Sequence, residues 1–258
     1  MALKHALETI HLGDGWYGKA KVLWAKLYFR TGFKHRTFTL PLRFHNESFP
    51  FLVSDWVDMY SLHSIFVAQE FDVLECDSAK TILDLGGNIG ASAVFFLVRY
   101  PEAHVYVAEP SPLLQEKLRL NLKHFGDRAT ILSYAFWNTD GEQLHFDCAP
   151  HKHLSGSLHT ATGADTVLVE TLRLDSFQAQ YEIPTIDILK YNVEGAEWQI
   201  FSTWTPSRVR YLIGEFHPDL CGHSFEDFVN YFASSHQIVA DSVSRKGRHF
   251  TKFIPRAS

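Results

Sequence analysis

Two groups of residues in this chain have types and spacings suited to chemistry. One is the glycine-rich turn Gly86-Gly87-Asn88-Ile89-Gly90, which follows the apolar run Thr81-Ile-Leu-Asp-Leu85. Glycine lets the backbone turn sharply and approach a ligand closely. The other is a set of polar residues at the ends of apolar runs: Glu109, Lys190, Asn192, Glu194, Glu215 and His217. Open α/β sheets bind ligands at such carboxyl ends. The turn does not read as a pyrophosphate cradle. Counted from Gly86, the third and sixth positions are Asn88 and Ala91; counted from Gly87, they are Ile89 and Ser92. The dinucleotide pattern G-x-G-x-x-G fails in both registers, and no Gly-Lys-Ser/Thr follows to make a P-loop.

Glu109 ends the next apolar run, where a carboxylate can accept two hydrogen bonds from a ribose diol. A nucleoside with a diol and no pyrophosphate, beside the acids Asp84 and Glu109, points to S-adenosylmethionine, whose sulfonium is cationic. On this reading Asp84, Gly86, Gly87, Asn88 and Gly90 hold the methionine part. Its carboxylate would sit at the start of the helix near Ala91. Glu109 serves the ribose, Pro110 and Ser111 beside it are expected among the cofactor-binding residues, and Tyr134, Ala135 and Phe136 hold the adenine. S-adenosylhomocysteine would be the product.

Methyl transfer needs an aligned acceptor atom and a nearby base. His217 has the best-matched intrinsic pKa and shares a strand face with Glu215. Glu194 is a second base candidate, and Lys190 a group that orients substrate or neutralises a carboxylate. Asn192, Glu215 and His153 are expected on the acceptor side. Glu197 is expected to complement a helix dipole. No metal is expected. His151 and His153 lack a carboxylate or Cys partner nearby, and Asn192, Glu215 and His217 make only a weak hard-cation set.

The elements that position these residues follow from hydrophobic periodicity. Residues 81–85, 104–108 and 129–133 read as buried strands separated by helices, one of them begun by Ser111 and Pro112. That alternation means a parallel sheet. Residues 142–147 and 166–174 read as a β-hairpin insertion. Residues 186–191 and 209–214 are further buried strands, with helices at 195–204 and at 225–234 behind the cap Ser224. Residues 237–241 and 249–254 close the chain as an antiparallel hairpin, unlike a dinucleotide-binding Rossmann domain. Upstream, Trp16, Ala20, Leu23, Trp24, Leu27 and Tyr28 share one helical face, expected to pack inward. Lys19, Lys21 and Lys26 flank it and keep a membrane-surface role open. Residues 37–44 suit an edge strand interrupted by Pro41, and 55–71 a helix with Trp56, Met59, Tyr60 and Phe66 on its apolar side. The expected division is an extension over 1–75 and a catalytic-type domain over 76–258.

Composition limits the function classes. The chain has 258 residues, 24 Lys plus Arg and 29 Asp plus Glu, a formal charge of −5. That balance argues against nucleic acid as a partner. Cys76, Cys148 and Cys221 are too scattered for a zinc finger or a disulfide scaffold. No signal-peptide pattern or membrane-length apolar run occurs, so a soluble cytoplasmic protein is expected. The oligomeric state stays open, with a homodimer among the options.

Several segments together carry a family resemblance. They are ILDLGGNIGAS at 82–92, VYVAEPSP at 105–112, Asn121-Leu122, AFWNTDGE at 135–142, VETLRLDSF at 169–177, DILKYNVEGAEWQIF at 187–201 and LIGEFHP at 212–218. The sequence resembles the FkbM family of S-adenosylmethionine-dependent methyltransferases over residues 40–255. The resemblance implies a class I methyltransferase fold: a Rossmann-like, mostly parallel seven-stranded sheet with an antiparallel last strand. It also implies O-methylation of a sugar, polyketide or other natural product. The most specific element, K-x-D-x-E-G-x-E, is matched from Lys190 to Glu197, with Asn192 where the family usually has Asp. Asn keeps one carbonyl acceptor and loses the charge. Two other readings remain: a cofactor-binding protein without catalysis, motivated by Asn192, and a dinucleotide-dependent oxidoreductase.

Overall fold

The computed structural model describes residues 8–31, 36–147 and 166–256. The expected acceptor-side His153, and Cys148, lie outside the described residues.

The chain enters through helix α1 (Gly15–Arg30) and a hairpin of β1 (Phe38–Phe44) and β2 (Glu47–Val53), paired in register with Pro41 opposite Pro50. On the outer edge of β1 the Pro41 carbonyl accepts the Asp14 N–H at 2.9 Å and the Arg43 N–H donates to the Leu12 carbonyl at 2.7 Å, so that edge is bonded without an N–H from Pro41. Helix α2 (Trp56–Leu62) follows, capped by the Asp55 side chain, and runs into a π-helical turn at His63–Val67. Then β3 (Thr81–Leu85), α3 (Ala91–Arg99), β4 (His104–Ala108), α4 (Pro112–Leu122) and β5 (Ala129–Leu132) alternate as read from the sequence.

Beyond them β6 (Ala135–Phe136), β7 (Gln143–Asp147) and β8 (Thr166–Leu172) form a separate three-stranded sheet. Helix α5 (Leu174–Gln180), β9 (Ile186–Tyr191), α6 (Glu197–Phe201) and β10 (Val209–Phe216) return the chain to the main sheet. It ends with the short α7 (Pro218–Cys221), α8 (Phe225–Phe232), β11 (His236–Val243) and β12 (His249–Pro255). A Ser224–Asp227 capping box starts α8.

The main sheet has seven strands in the order β11-β12-β10-β9-β3-β4-β5. β10, β9, β3, β4 and β5 run parallel, and β12 runs antiparallel to both β10 and β11. This is the class I methyltransferase arrangement. The chain leaves β3 towards β4 and β5, then returns to β9 on the other side of β3. That reversal opens a crevice at the carboxyl ends of β3 and β9.

Alternation along the strands divides the core. Ile82, Val105, Val107, Ile188 and Ile213 face α1, α3 and the β1–β2 hairpin. Leu83, Leu85, Leu189, Tyr191 and Phe216 face α5, α6 and α8.

Three expectations change. The helix at 195–204 shortens to α6, because a loop with Glu194 and Gly195 at positive φ precedes it. Residues 55–71 do form a helical stretch, yet Trp56 and Tyr60 stay exposed while Met59 and Phe66 are buried. The α1 stripe faces outward. Trp16 is 82% exposed and Trp24 58%, whereas Val22, Ala25 and Phe29 on the opposite side pack into the core. Both sides of α1 are apolar, so periodicity does not distinguish the inward one.

One buried side chain ties the hairpin to the glycine turn. Asn121, on α4, accepts from the Leu52 N–H at 2.6 Å and donates to the Ile89 carbonyl at 2.8 Å and the Leu52 carbonyl at 3.3 Å. Truncation to Ala strands these backbone groups away from water. Asn121→Ala is expected to lower unfolding free energy by about 2–4 kcal/mol, measured by urea titration; a loss below about 0.5 kcal/mol contradicts this account.

Candidate active site

The crevice is a cavity of about 790 Å³. Gly86, Gly87 and Asn88 line it, with Glu109, Pro110 and Ser111 beyond β4 and Tyr134, Ala135 and Phe136 at β6. Lys190, Asn192, Glu194 and Glu215 line the opposite part. The residues read from the sequence therefore meet in one cleft, with three exceptions among those described: Asp84, Gly90 and His217 lie behind its wall.

The turn is held by backbone and by Glu109. The N–H groups of Gly86 and Gly87 both donate to the Ala108 carbonyl at 3.0 Å. Gly86 has φ 77°, and a Cβ there would lie 2.0 Å from the Asn192 carbonyl oxygen; one at Gly87 would meet Val107 Cγ1 at 2.2 Å. Only glycine permits both approaches. Glu109 accepts the N–H of Asn88 at one oxygen and that of Ser111 at the other, each at 2.8 Å. Burial pushes its carboxyl up to about 7, against the pull of these two donors.

Asp84 is fully buried and cannot touch a ligand in the cleft, a correction to its expected role. Its Oδ2 accepts the Ser92 hydroxyl at 2.6 Å, and Lys190 Nζ stands 2.9 Å from its Oδ1 in an ion pair off the hydrogen-bond axis. Lys190 Nζ also donates to the carbonyls of Gly86 at 2.7 Å and Leu85 at 3.2 Å. Lys190 is thus a support for the turn, with its charge already committed. Gly90 is likewise positional. It starts α3 at φ 92°, packed against Leu118 of α4.

His217 is the second correction. Its ring is fully buried, with Nδ1 2.6 Å from Glu197 Oε1 and Nε2 3.5 Å from both Glu194 Oε2 and Glu215 Oε2. Burial works to lower its pKa, but the contacts with Glu197 and Glu215 and the charge of Glu194 outweigh it and raise the pKa to about 10. A ring that is already protonated and shut away from the cleft does not act as general base. It is a cation among three carboxylates.

Those carboxylates differ. Burial raises the pKa of Glu194, opposed by the charges of His217 and Arg248; contact with His217 lowers that of Glu215. Glu194 sits at φ 50°, a left-handed conformation that non-glycine residues adopt at some cost. The fixed turn carries its side chain to the cleft, where Arg248 Nη1 lies 3.3 Å from Oε2. Asn192 Oδ1 is buried without a hydrogen-bond partner. Among the described residues, no group of three or more His, Cys, Asp or Glu is arranged to hold a metal ion.

Sequence reasoning missed Arg248 and Glu70 and gave Glu197 only a helix-dipole role. Glu197 buttresses His217 and accepts the Gly195 N–H at 3.2 Å. Arg248 comes from the terminal hairpin, 54 residues from its partner Glu194. Glu70 lines the cleft with its carboxylate on the Ser64 hydroxyl, its pKa raised by burial. The second glutamate of the 190–197 signature was the available signal for Glu197. Arg248 and Glu70 have no local motif.

Residues 84–239 match the Methyltransferase FkbM domain. The chain belongs to the FkbM methyltransferase family. It is 27% identical over 152 residues to the 2-O-methyltransferase NoeI of Sinorhizobium fredii, covering 52% of this chain and 62% of that one. It is 23% identical over 145 residues to the hexuronic acid methyltransferase AglP of Haloferax volcanii, covering 55% and 58%. This chain thus spans about three fifths of the length of these two relatives. Among solved structures, a methyltransferase FkbM from Methylobacillus flagellatus KT aligns at a TM-score of 0.47 and 13% identity, covering 98% of this chain and 58% of that one.

The His217 cluster predicts a pH signature. An unfolded histidine releases its proton near 6.5, but His217 holds it to about 10 in the folded protein. Its stabilising contribution is therefore fully present below about 6.5 and is lost as pH rises through 10. His217→Gln removes the cation and leaves the carboxylates facing one another. Its stability deficit in urea titrations is expected to be largest near neutrality, about 3–5 kcal/mol, and to shrink towards pH 10. A deficit that does not change with pH would mean the ring is neutral.

Proposed function

We propose that this FkbM methyltransferase transfers the methyl group of S-adenosylmethionine to a hydroxyl oxygen of a sugar or a similar natural-product acceptor. The observation that carries this reading is one cleft with two unlike walls. One is the glycine turn clamped to Glu109; the other holds Glu194, a carboxylate with a raised pKa. The name of NoeI denotes methylation at an oxygen and that of AglP a hexuronic acid acceptor in those proteins, which supports the acceptor class.

The residues present fit the cofactor. Each Glu109 oxygen takes one backbone N–H and keeps acceptor capacity for a ribose hydroxyl. The turn leaves no room for a Cβ at Gly86 or Gly87, so backbone itself forms the cofactor wall. The first-turn N–H groups of α3, beyond Gly90, have no partner within the helix and suit a carboxylate. Tyr134, Ala135 and Phe136 supply a largely apolar wall for the adenine. When bound, S-adenosylmethionine supplies a methyl carbon made electrophilic by a cationic sulfur.

The chain's own residues do the rest. Glu194 would accept the acceptor's hydroxyl proton as the bond from oxygen to the methyl carbon forms and the methyl–sulfur bond breaks, its electron pair staying on sulfur in S-adenosylhomocysteine. Arg248 orients Glu194, and His217 lets Glu194 and Glu215 stand close together. The unpaired Asn192 Oδ1 offers an acceptor to a donor of the bound ligand. Residues 76–258 act as the cofactor-binding unit, and residues 1–75 complete the acceptor wall through Tyr60, Ser61 and Ser64.

Incubation with methyl-labelled S-adenosylmethionine and a panel of sugars and glycosides is expected to label an acceptor oxygen. Absence of cofactor binding by calorimetry would overturn the reading. Glu194→Gln is expected to lower kcat by about 10²–10⁴ with cofactor affinity retained; an unchanged kcat removes Glu194 as the base. Glu109 takes up a proton below about 7 and then loses acceptor capacity for the diol. Cofactor affinity should therefore weaken as pH falls from 8 to 6 by about tenfold. Glu109→Gln should bind weakly at both pH values. A flat wild-type profile would exclude titration of Glu109 in this range.

A further inference from the structure

The outward face of α1 has no partner among the described residues, and its chemistry is that of a lipid interface. At 100° per residue, Trp16, Ala20, Leu23, Trp24 and Leu27 fall within an arc of about 100°. Trp16 is 82% exposed, Trp24 58% and Leu27 50%. Lys19 and Arg30 border one edge of this arc and Lys21 the other. The whole helix, Gly15–Arg30, contains four basic residues and no acid. It does so in a chain whose formal charge is −5. The opposite face, through Val22, Ala25 and Phe29, is fixed in the core, so the helix cannot rotate to hide the tryptophans.

We propose that α1 lies in the plane of an anionic bilayer surface. Trp16, Leu23, Trp24 and Leu27 enter the boundary between headgroups and acyl chains, and Lys19, Lys21 and Arg30 meet the lipid phosphates. No helix of the described residues is long and apolar enough to cross a membrane, and α1 is only about 24 Å long. In-plane binding is therefore the geometry available to it. A second copy of this chain fits the face less well, because pairing two such helices brings cations together without acids to balance them. An anionic headgroup layer supplies that balance. Helix α2 packs on α1, and its Tyr60, 60% exposed, also lines the cleft. Docking through α1 thus brings the cleft near the lipid surface, where an acceptor carried by an amphiphile would lie. The docking itself does not depend on the methyl-transfer reading.

Flotation of the full chain with phosphatidylcholine vesicles, with and without about 30 mol % phosphatidylglycerol, tests this. Binding to the anionic vesicles is expected to be at least about tenfold stronger and to blue-shift tryptophan fluorescence. Trp16→Ser/Trp24→Ser should weaken it by at least about tenfold while leaving the melting temperature and S-adenosylmethionine affinity unchanged. Lys19→Glu/Arg30→Glu should abolish the preference for anionic lipid. Absence of vesicle binding, equal binding to both compositions, or binding indifferent to the tryptophan pair overturns the proposal. So does a dimer that dissociates in Trp16→Ser/Trp24→Ser when no vesicles are bound.

Discussion

Asp84 on β3 and Lys190 on β9 are register partners on adjacent parallel strands, and neither has meaningful contact with water. Removing two charges from water costs several kcal/mol per ion, on the order of what their attraction returns. The surroundings tip that balance. Asp84 takes the Ser92 hydroxyl from α3, and Lys190 spends its remaining donors on the carbonyls of Leu85 and Gly86. Phe71 covers the ammonium, 5.3 Å from its ring centroid. A well-packed apolar pair could match this stability. It could not hold the two carbonyls that begin the turn. The pair therefore acts as a positional device: it fixes where β3 stops, how the turn leaves and where α3 starts.

The opposite wall answers to a second charge constraint. Glu194, Glu197 and Glu215 converge on His217, with Arg248 on the outer side of Glu194. Three ionised carboxylates this close repel one another, and desolvation would drive protons onto them. His217 and Arg248 place two cationic groups among these acids, and Asp219 takes further donors of Arg248. The wall also explains why Glu194 tolerates a left-handed backbone: ion contacts with two cations hold the side chain from both sides.

Much of this architecture was legible in the sequence because it rests on local patterns. Buried parallel strands are short apolar runs, and 81–85, 104–108 and 186–191 match β3, β4 and β9. The terminal hairpin was legible from two extended runs about a basic Gly-containing turn. Strand β2 was not, because Glu47, Ser48 and Pro50 disguise it and only its pairing with β1 makes it extended. His217 was located at the right strand end but given the wrong chemistry. Intrinsic pKa ranked it first as a base, whereas its actual protonation depends on Glu194 and Glu197, which come from another loop and helix. Asp84 failed in the same way: a strand-tip acid looks available for a ligand until the lysine of the neighbouring strand is counted.

The cleft's two walls also differ in how far the family accounts for them. The FkbM match runs from residue 84 to 239 and includes the glycine turn, Glu109, Lys190, Glu194, Glu197, Glu215 and His217. Tyr60, Ser61, Ser64, Glu70 and Phe71 line the cleft from upstream of that segment, and Ser242, Ser244, Lys246, Arg248 and Phe250 from downstream. The two flanks are physically joined, since β12 pairs with β10 and Phe71 packs on Phe250 with ring centroids 5.6 Å apart. Arg248 then connects this outer rim to Glu194 at the centre. The two parts of the cleft are therefore held differently. In the matched segment, backbone geometry and buried charge pairs leave little freedom. In the flanks, Phe71 and Arg248 are tied to that segment through Lys190 and Glu194, whereas Tyr60, Ser61, Ser242 and Ser244 line the cleft outside the Asp84–Lys190 pair and the His217 cluster.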